Sequence, residues 1–308
     1  MINTTILEVL NYDPTRTTTL RNVFVKALNK RFNELISIVK KAIVDKDVFG
    51  LKIQINQMQE PFENAFNFPL SQDKIVAFMQ WLDEQVKAGI LEVGTYNQLG
   101  SAINSAWTNL YILDSYKRGI IRARYELINA GANVPSLEDS GGIDTVLNSA
   151  IHLDRLGILY TRVFSELKGI TDAMDQTISR ILAQGIADGD GAVLLARKLV
   201  AAINGEGLGD LGLTDSLGRY ISPMRRAEML ARTEIIRAHH WATIQEYRNW
   251  GIAGVKILVE AVTAGDLRVC SRCDALAKGS PYTLDQIQNV IPLHPQCRCV
   301  ALPYISNT

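Results

Sequence analysis

Apolar side chains recur at three- and four-residue steps through most of the chain before Gly205, and that period dictates helices. Leu20, Phe24, Leu28, Phe32, Leu35, Val39 and Ile43 lay one stripe along residues 17–45. At 3.6 residues per turn such spacing brings them to a single face. Ile75, Phe78, Leu82 and Val86 repeat the pattern over 71–90, and a third stretch runs from about residue 96 to Asn129, with Gly131 as its stop. Pro135 and the Ser140-Gly141-Gly142 triplet mark a loop. A fourth periodic stretch, residues 143–186, exceeds ordinary globular length, so it is expected to kink near Gly169 or to form an extended strut. Asp188-Gly189-Asp190-Gly191 then breaks the pattern before a short helix over 192–203. As a calcium loop this tetrad fails: the twelfth position from Asp188, where a bidentate Glu belongs, is Leu199. A turn between helices is expected there.

The character changes after a glycine-rich, punctuated stretch at 205–222. Residues 224–250 read as one helix with Pro223 at its first turn, where a missing N–H costs nothing. Its His239-His240 pair beside Glu246 reads as an ordinary polar face. Val255 to Val262 is β-branched and partly alternating, the pattern of a strand. Residues 299–304 form a candidate partner strand, with Pro303 placing its end at an edge. The expected fold is mainly α: a long helical body (1–204), a linker (205–222) and a small α+β zinc-knuckle-like domain (223–308).

Composition narrows the function classes. Thirty-two basic and 32 acidic side chains cancel, which removes any bulk attraction to nucleic acid or anionic membrane. The balance is uneven along the chain: ten basic against seven acidic residues from Pro223 onward give +3, leaving −3 before it. The best apolar stretch, 251–263, is interrupted by Lys256 and Glu260, so no spanning helix is expected. The N-terminus lacks the basic and apolar regions of an export signal. Synthesis in a reducing cytoplasm is therefore expected, which disfavours disulfides and favours metal as the use of the cysteines.

All four cysteines lie within thirty residues. Cys270-Ser271-Arg272-Cys273 is a C-x2-C pair, and 20 residues separate it from His294-Pro295-Gln296-Cys297-Arg298-Cys299. Thiolate and imidazole are the preferred ligands of tetrahedral zinc, and a second compact pair completes the tetrahedron. Five candidates compete for four places. Cys270, Cys273 and Cys297 are the firm members; Cys299 and His294 compete for the last, with Cys299 preferred because a free thiol beside the site invites oxidation. The competing readings are two disulfides or four buried thiols. With every place filled by protein, zinc here is structural, clamping residues 274–293 onto the strand. Catalytic alternatives lack their residues: no histidine heads an H-x-E, and no H-E-x-x-H, G-x-S-x-G or Walker A pattern occurs.

These residues carry a resemblance. Ala231-Arg232-Thr233-Glu234 on a helix, Ala238, Tyr247 and Gly251, a strand, Asp266-x-Arg268-Val269-Cys270-x-x-Cys273, and Leu293-His294-Pro295-x-Cys297-Arg298-Cys299 together resemble the C-terminal domain of the phage Mu F-like minor head proteins, the head-morphogenesis family of tailed bacteriophages. The likeness covers about 80 residues, Met224 to Tyr304, and the two helices around Gly185 (Leu182 to Leu199) are similar to the family's lead-in. One departure is the aliphatic Leu258 to Ala264, where the family often carries an aromatic residue before the aspartate. With nine residues after Cys299, no C-terminal toxin fusion of the kind some relatives bear is expected.

The resemblance implies a non-enzymatic virion protein inside the head near the portal vertex, reached from the host cytoplasm during assembly. Its implied partners are the portal protein and the major capsid or scaffolding protein, and its implied work is head assembly or DNA packaging and ejection. Arg232 and Glu234 read as structural, with Glu234 expected to pair with an arginine such as Arg268. The alternative is a zinc module binding the phage genome through Arg268, Arg272, Lys278 and Arg298.

Overall fold

The computed structural model describes residues 13–51, 71–86, 106–205, 221–252 and 257–305. Most of the expected linker, the first turns expected at 96–105 and the start of the expected strand at 255–256 lie outside them. The helices are α1 (Thr18–Lys40), α2 (Ser71–Gln85), α3 (Asn109–Asn129), α4 (Ile143–Leu147), α5 (Ala150–Ala187), α6 (Ala192–Asn204), α7 (Pro223–Ile252), α8 (Ser271–Lys278) and α9 (Leu284–Ile287). The strands are β1 (Ile257–Val262) and β2 (Val300–Ile305). The protein is mainly helical, and among the described residues no helix is long and apolar enough to cross a membrane.

Two compact units are built from interleaved parts of the chain. One comprises residues 25–96 and 164–228, the other residues 1–24, 97–163 and 229–308. In the first, Phe32, Leu35, Val39 and Ile43 of the α1 stripe are buried, as are Phe78 and Leu82 of α2 and Met174, Ile178 and Leu182 of α5. The α1 helix closes in a π-helical turn over Lys41–Asp45. The aspartate-glycine tetrad is a turn, as expected: Asp190 N–H donates to the Gly185 carbonyl at 2.8 Å, and the Asp190 carboxylate pairs with Lys198. Gly185 leaves room for α6, since a Cβ there would stand 2.7 Å from Leu195 Cδ1.

Of the two forms expected for the fourth periodic stretch, the extended helix is the one present, over a shorter span. The stretch breaks at Asn148–Ser149, between α4 and α5, and then runs unbroken past Gly169 to Ala187. Gly169 is an interior helix position with open space around it, so nothing there forces a bend.

In the second unit α3 lies directly against α7. Ser115, Gly119 and Ala123, spaced by four, form a flat small-residue face on α3, and all three are buried. Opposite them run Ala231, Ile235, Ala238 and Ala242 of α7, also buried. The backbones approach so closely that a Cβ on Gly119 would stand 2.4 Å from the His239 carbonyl oxygen. Ser115 Oγ donates to the Ile235 carbonyl at 2.7 Å, which ties the helices where they meet.

From Glu234 to Tyr247, α7 is buried almost throughout, contrary to the polar face expected at His239, His240 and Glu246. The polar side chains tolerate burial because neighbouring elements supply partners. Glu246 accepts from Arg124 Nε of α3 and from Trp250 Nε1. His240 Nε2–H donates to the Ile287 carbonyl of α9 at 3.1 Å. Thr243 donates to the His239 carbonyl at 2.9 Å.

The two strands pair antiparallel, with Val259 opposite Pro303. Val259 sends its own N–H and carbonyl the other way, to Tyr282. Position 303 is therefore a non-hydrogen-bonded site of the ladder, where the missing proline N–H costs nothing. Buried and half-buried residues alternate along β1, and Ile257, Val259 and Ala261 join the core that encloses three of the cysteines.

Candidate metal centre

Cys270 opens α8 as its N-cap, its sulfur accepting from the Cys273 N–H at 3.4 Å. The C-x2-C pair is thus the first turn of a helix rather than a free turn. The residues expected to be a clamped loop hold two helices: α8, and α9 with a Thr283/Gln286 capping box. Opposite, Leu293 to Cys299 wraps back towards α8. Cys297 N–H donates to the His294 carbonyl at 3.1 Å, closing a tight turn in which Gln296 takes a left-handed φ of 62°. Cys297 and Cys299 precede β2 rather than lying on it. They still alternate: both sulfurs are buried in the core, and Arg298 between them turns away to Asp266.

Five ligand groups converge. Cys270, Cys273 and His294 form one set, Cys273, Cys297 and Cys299 another, and within each set the ligand atoms lie within 4.8 Å of one another. His294 Nε2 stands 3.3 Å from Cys270 Sγ and 3.1 Å from Cys273 Sγ. Cys273 Sγ and Cys297 Sγ are 3.9 Å apart, close to the ~3.8 Å edge of a tetrahedron with 2.3 Å metal–sulfur bonds. All four cysteines are free thiols, so the geometry is not that of disulfides.

The histidine tautomer is fixed by its neighbour. Nδ1 lies 2.8 Å from the Pro295 carbonyl, which can only accept, so Nδ1 carries the proton. Nε2 then presents its lone pair to the two thiols, the arrangement in which a metal-ligating histidine is held by its outer partner. The sulfurs divide in character. Cys297 is pulled down to about 5, first by the Cys299 thiol that donates to it, and Cys270 is lowered, first by the Cys273 N–H. Burial pushes Cys273 up to about 12, while Cys299 is raised, first by its hydrogen bond to Cys297. The set fits a metal ion, which when bound supplies a crosslink between the first turn of α8 and the 294–299 segment.

The sequence motifs on α7 hold this knuckle in place. Thr233 Oγ1 donates to the Met229 carbonyl at 2.6 Å and accepts the Gln296 N–H at 3.1 Å. Glu234, 1% exposed, receives Arg162 Nε of α5 at 3.1 Å and Arg237 Nε at 3.1 Å. This corrects the expected pairing with Arg268. Arg268 is bound instead to Asp266, two residues away and on the knuckle side, while α5 brings Arg162 to Glu234. Asp266 also receives both terminal nitrogens of Arg298, at 2.6 and 2.7 Å, and this holds its carboxyl far below the usual carboxylate range. Pro295 contributes the carbonyl that sets the His294 ring. Among the described residues Arg232 forms no ion pair, and its buried Nε has no partner.

Residues 176–302 match the family described as "Phage Mu protein F like protein". Over this part the chain is similar to the phage Mu F-like proteins. The Mu F-like region begins within α5, upstream of the expected likeness, and takes in the helix pair around Gly185 as well as the whole metal centre. No curated protein and no solved structure matches the chain.

Two features of the Mu F-like region were not readable from its sequence. The hold of Thr233 on Gln296 joins positions 63 apart, and no local pattern announces it. The order of the sulfurs around Cys273 depends on how α8 faces the 294–297 turn, which spacing alone leaves open.

Proposed function

We propose that the protein is a non-catalytic minor head protein bound at the portal vertex, acting in head assembly and in packaging or ejection of DNA. In this reading residues 1–204 are the helical body that meets the portal and the capsid or scaffolding protein. Residues 205–222 connect it to residues 223–308, which carry a structural zinc ion. The observation that carries the reading is the Mu F-like match across the metal centre and the α7 motif that secures it.

The ligands proposed for zinc are Cys270, Cys273, Cys297 and His294, with the Cys299 thiol donating to the Cys297 sulfur. The oriented lone pair of His294 supports its inclusion over Cys299. Four protein ligands leave no open position for substrate, which supports a structural role. A DNA-binding role for this module has less support, because its basic side chains are already engaged. Arg268 and Arg298 pair with Asp266, Lys278 with Asp274, and Arg272 donates to the Leu293 carbonyl.

The test is a pull-down of the full chain with the portal subunit encoded by the same phage. Co-elution at stable stoichiometry is expected; failure to associate at micromolar concentration counts against placement at the portal.

A further inference from the structure

On α3, away from the metal centre, a cavity of about 310 Å³ is lined by Arg16, Arg118, Ile121, Arg122, Tyr125 and His239 among others. Three guanidinium groups converge there, and they are not equally occupied. Arg122 pairs with Glu126 and donates to the Pro14 carbonyl, and Arg118 makes an exposed pair with Asp114 at 3.1 Å. Arg16 has no side-chain partner among the described residues and sits in the left-handed region at φ 53°, a conformation disfavoured for a residue with a Cβ. His239, 2% exposed, also lines this space, and its imidazole has no hydrogen-bond partner among the described residues. Burial, and then the charge of Arg122, push its titration down to about 3, so the ring is neutral near pH 7 and offers one N–H donor.

Beside the cavity lies an apolar stripe. Leu110, Ile121, Tyr125 and Ile128 are each between 45% and 68% exposed. Their steps of eleven, four and three residues place them on one face of α3. A row of large exposed apolar side chains of this kind marks an interaction surface. The two features together select an occupant. Three arginines repel a cation. A nucleic-acid backbone is gripped by charged and polar groups and finds no use for four large apolar side chains. An amphipathic polypeptide helix with a carboxylate among its apolar anchors satisfies both features.

We propose that this face of α3 docks an acidic amphipathic segment of another head protein, seating an Asp or Glu carboxylate between Arg16, Arg118 and His239 and laying apolar neighbours along Leu110, Ile121, Tyr125 and Ile128. The partner class rests on the head-protein reading above. The carboxylate would give Arg16 a partner, and the apolar contacts would cover surface now facing water.

The experiment places p-benzoyl-phenylalanine at position 125 of the full chain during phage production. Heads are purified after irradiation, and the crosslinked peptide is identified by mass spectrometry. Expected is one segment of a different head protein carrying Asp or Glu within four residues of Leu, Ile, Val or Phe. With Arg16→Glu and Arg118→Glu combined, both at exposed or half-exposed positions, the crosslink is expected to fall at least tenfold while the thermal melt is unchanged. Crosslinks to DNA, to a second copy of the chain or to its own residues 1–12 overturn the proposal. So does the absence of any crosslink when the chain is present in heads. A chain absent from heads altogether overturns the head-protein reading and this inference with it, and the composition of the heads tells the two failures apart.

Discussion

The Gln296 backbone N–H reaches the Thr233 hydroxyl at 3.1 Å, so one side chain on the buried helix α7 anchors the left-handed turn between His294 and Cys297. Thr233→Val keeps the shape and removes the acceptor. The loss is expected to cost about 1 kcal/mol, the typical net value of a hydrogen bond. The urea midpoint should fall for Thr233→Val and recover in Thr233→Ser; equal midpoints for Val and wild type would remove this anchor from the account.

Glu234 holds two arginines from two helices while itself almost fully buried. Glu234→Gln leaves Arg162 and Arg237 facing a neutral amide. Because Arg162 is 41% exposed, solvent screens part of the loss, and about 2 kcal/mol of destabilisation is expected rather than the full value of a buried pair. Chemical denaturation checks this, and a change below a few tenths would contradict it.

Two glycine substitutions are expected to move stability in opposite directions. Gly119→Ala forces α3 away from the His239 carbonyl, an overpacking expected to cost about 2 kcal/mol. Gly157→Ala meets nothing within 4 Å on α5 and should stabilise by about 0.5–1 kcal/mol through helix propensity. Thermal melts of the two variants against wild type decide the signs.

Acid is expected to weaken the α3–α7 contact through Glu246. Burial pushes its carboxyl up, but the His152 ring 3.5 Å away, the charge and hydrogen bond of Arg124 and the Trp250 N–H outweigh burial and leave the pKa lowered. A group depressed on folding stabilises fully above its unfolded pKa, about 4.5, and loses that contribution as pH falls through the folded value. Urea midpoints should therefore drop below about pH 4.5, with a shallower drop in Glu246→Gln. Parallel pH profiles would contradict the assignment.

The metal prediction concerns stoichiometry. Reduced full-length protein should carry one zinc ion per chain by elemental mass spectrometry. Cys273→Ser and His294→Ala should lose it, and Cys299→Ser should keep it. Retention in His294→Ala with loss in Cys299→Ser would instead assign the fourth place to Cys299. A metal-free, folded wild type would exclude the clamp.

Helices were legible wherever burial is one-sided. The α1 stripe from Leu20 to Ile43 and the short helix α6 appear at their expected places because a single apolar face was waiting to be covered. The strand pair was also legible, and the position of Pro303 agrees with its pairing. What escaped the sequence lies where burial is two-sided. His240 and Glu246 look like a solvated face because their partners at positions 287 and 124 cannot be seen from local spacing, and His239 because the elements that bury it lie far away in sequence. The break at Asn148–Ser149 escaped as well, since apolar periodicity continues across it. At the metal centre the five candidate ligands were readable, whereas the choice among them depends on the Pro295 carbonyl that sets the His294 ring.

The central claim, a head protein held at the portal vertex, is tested most directly by quantifying the chain in purified heads by mass spectrometry, with and without the portal subunit. The account predicts a small, constant number of copies in heads assembled with the portal and none in heads assembled without it. Absence from complete heads, or equal amounts in the presence and absence of portal, would contradict it.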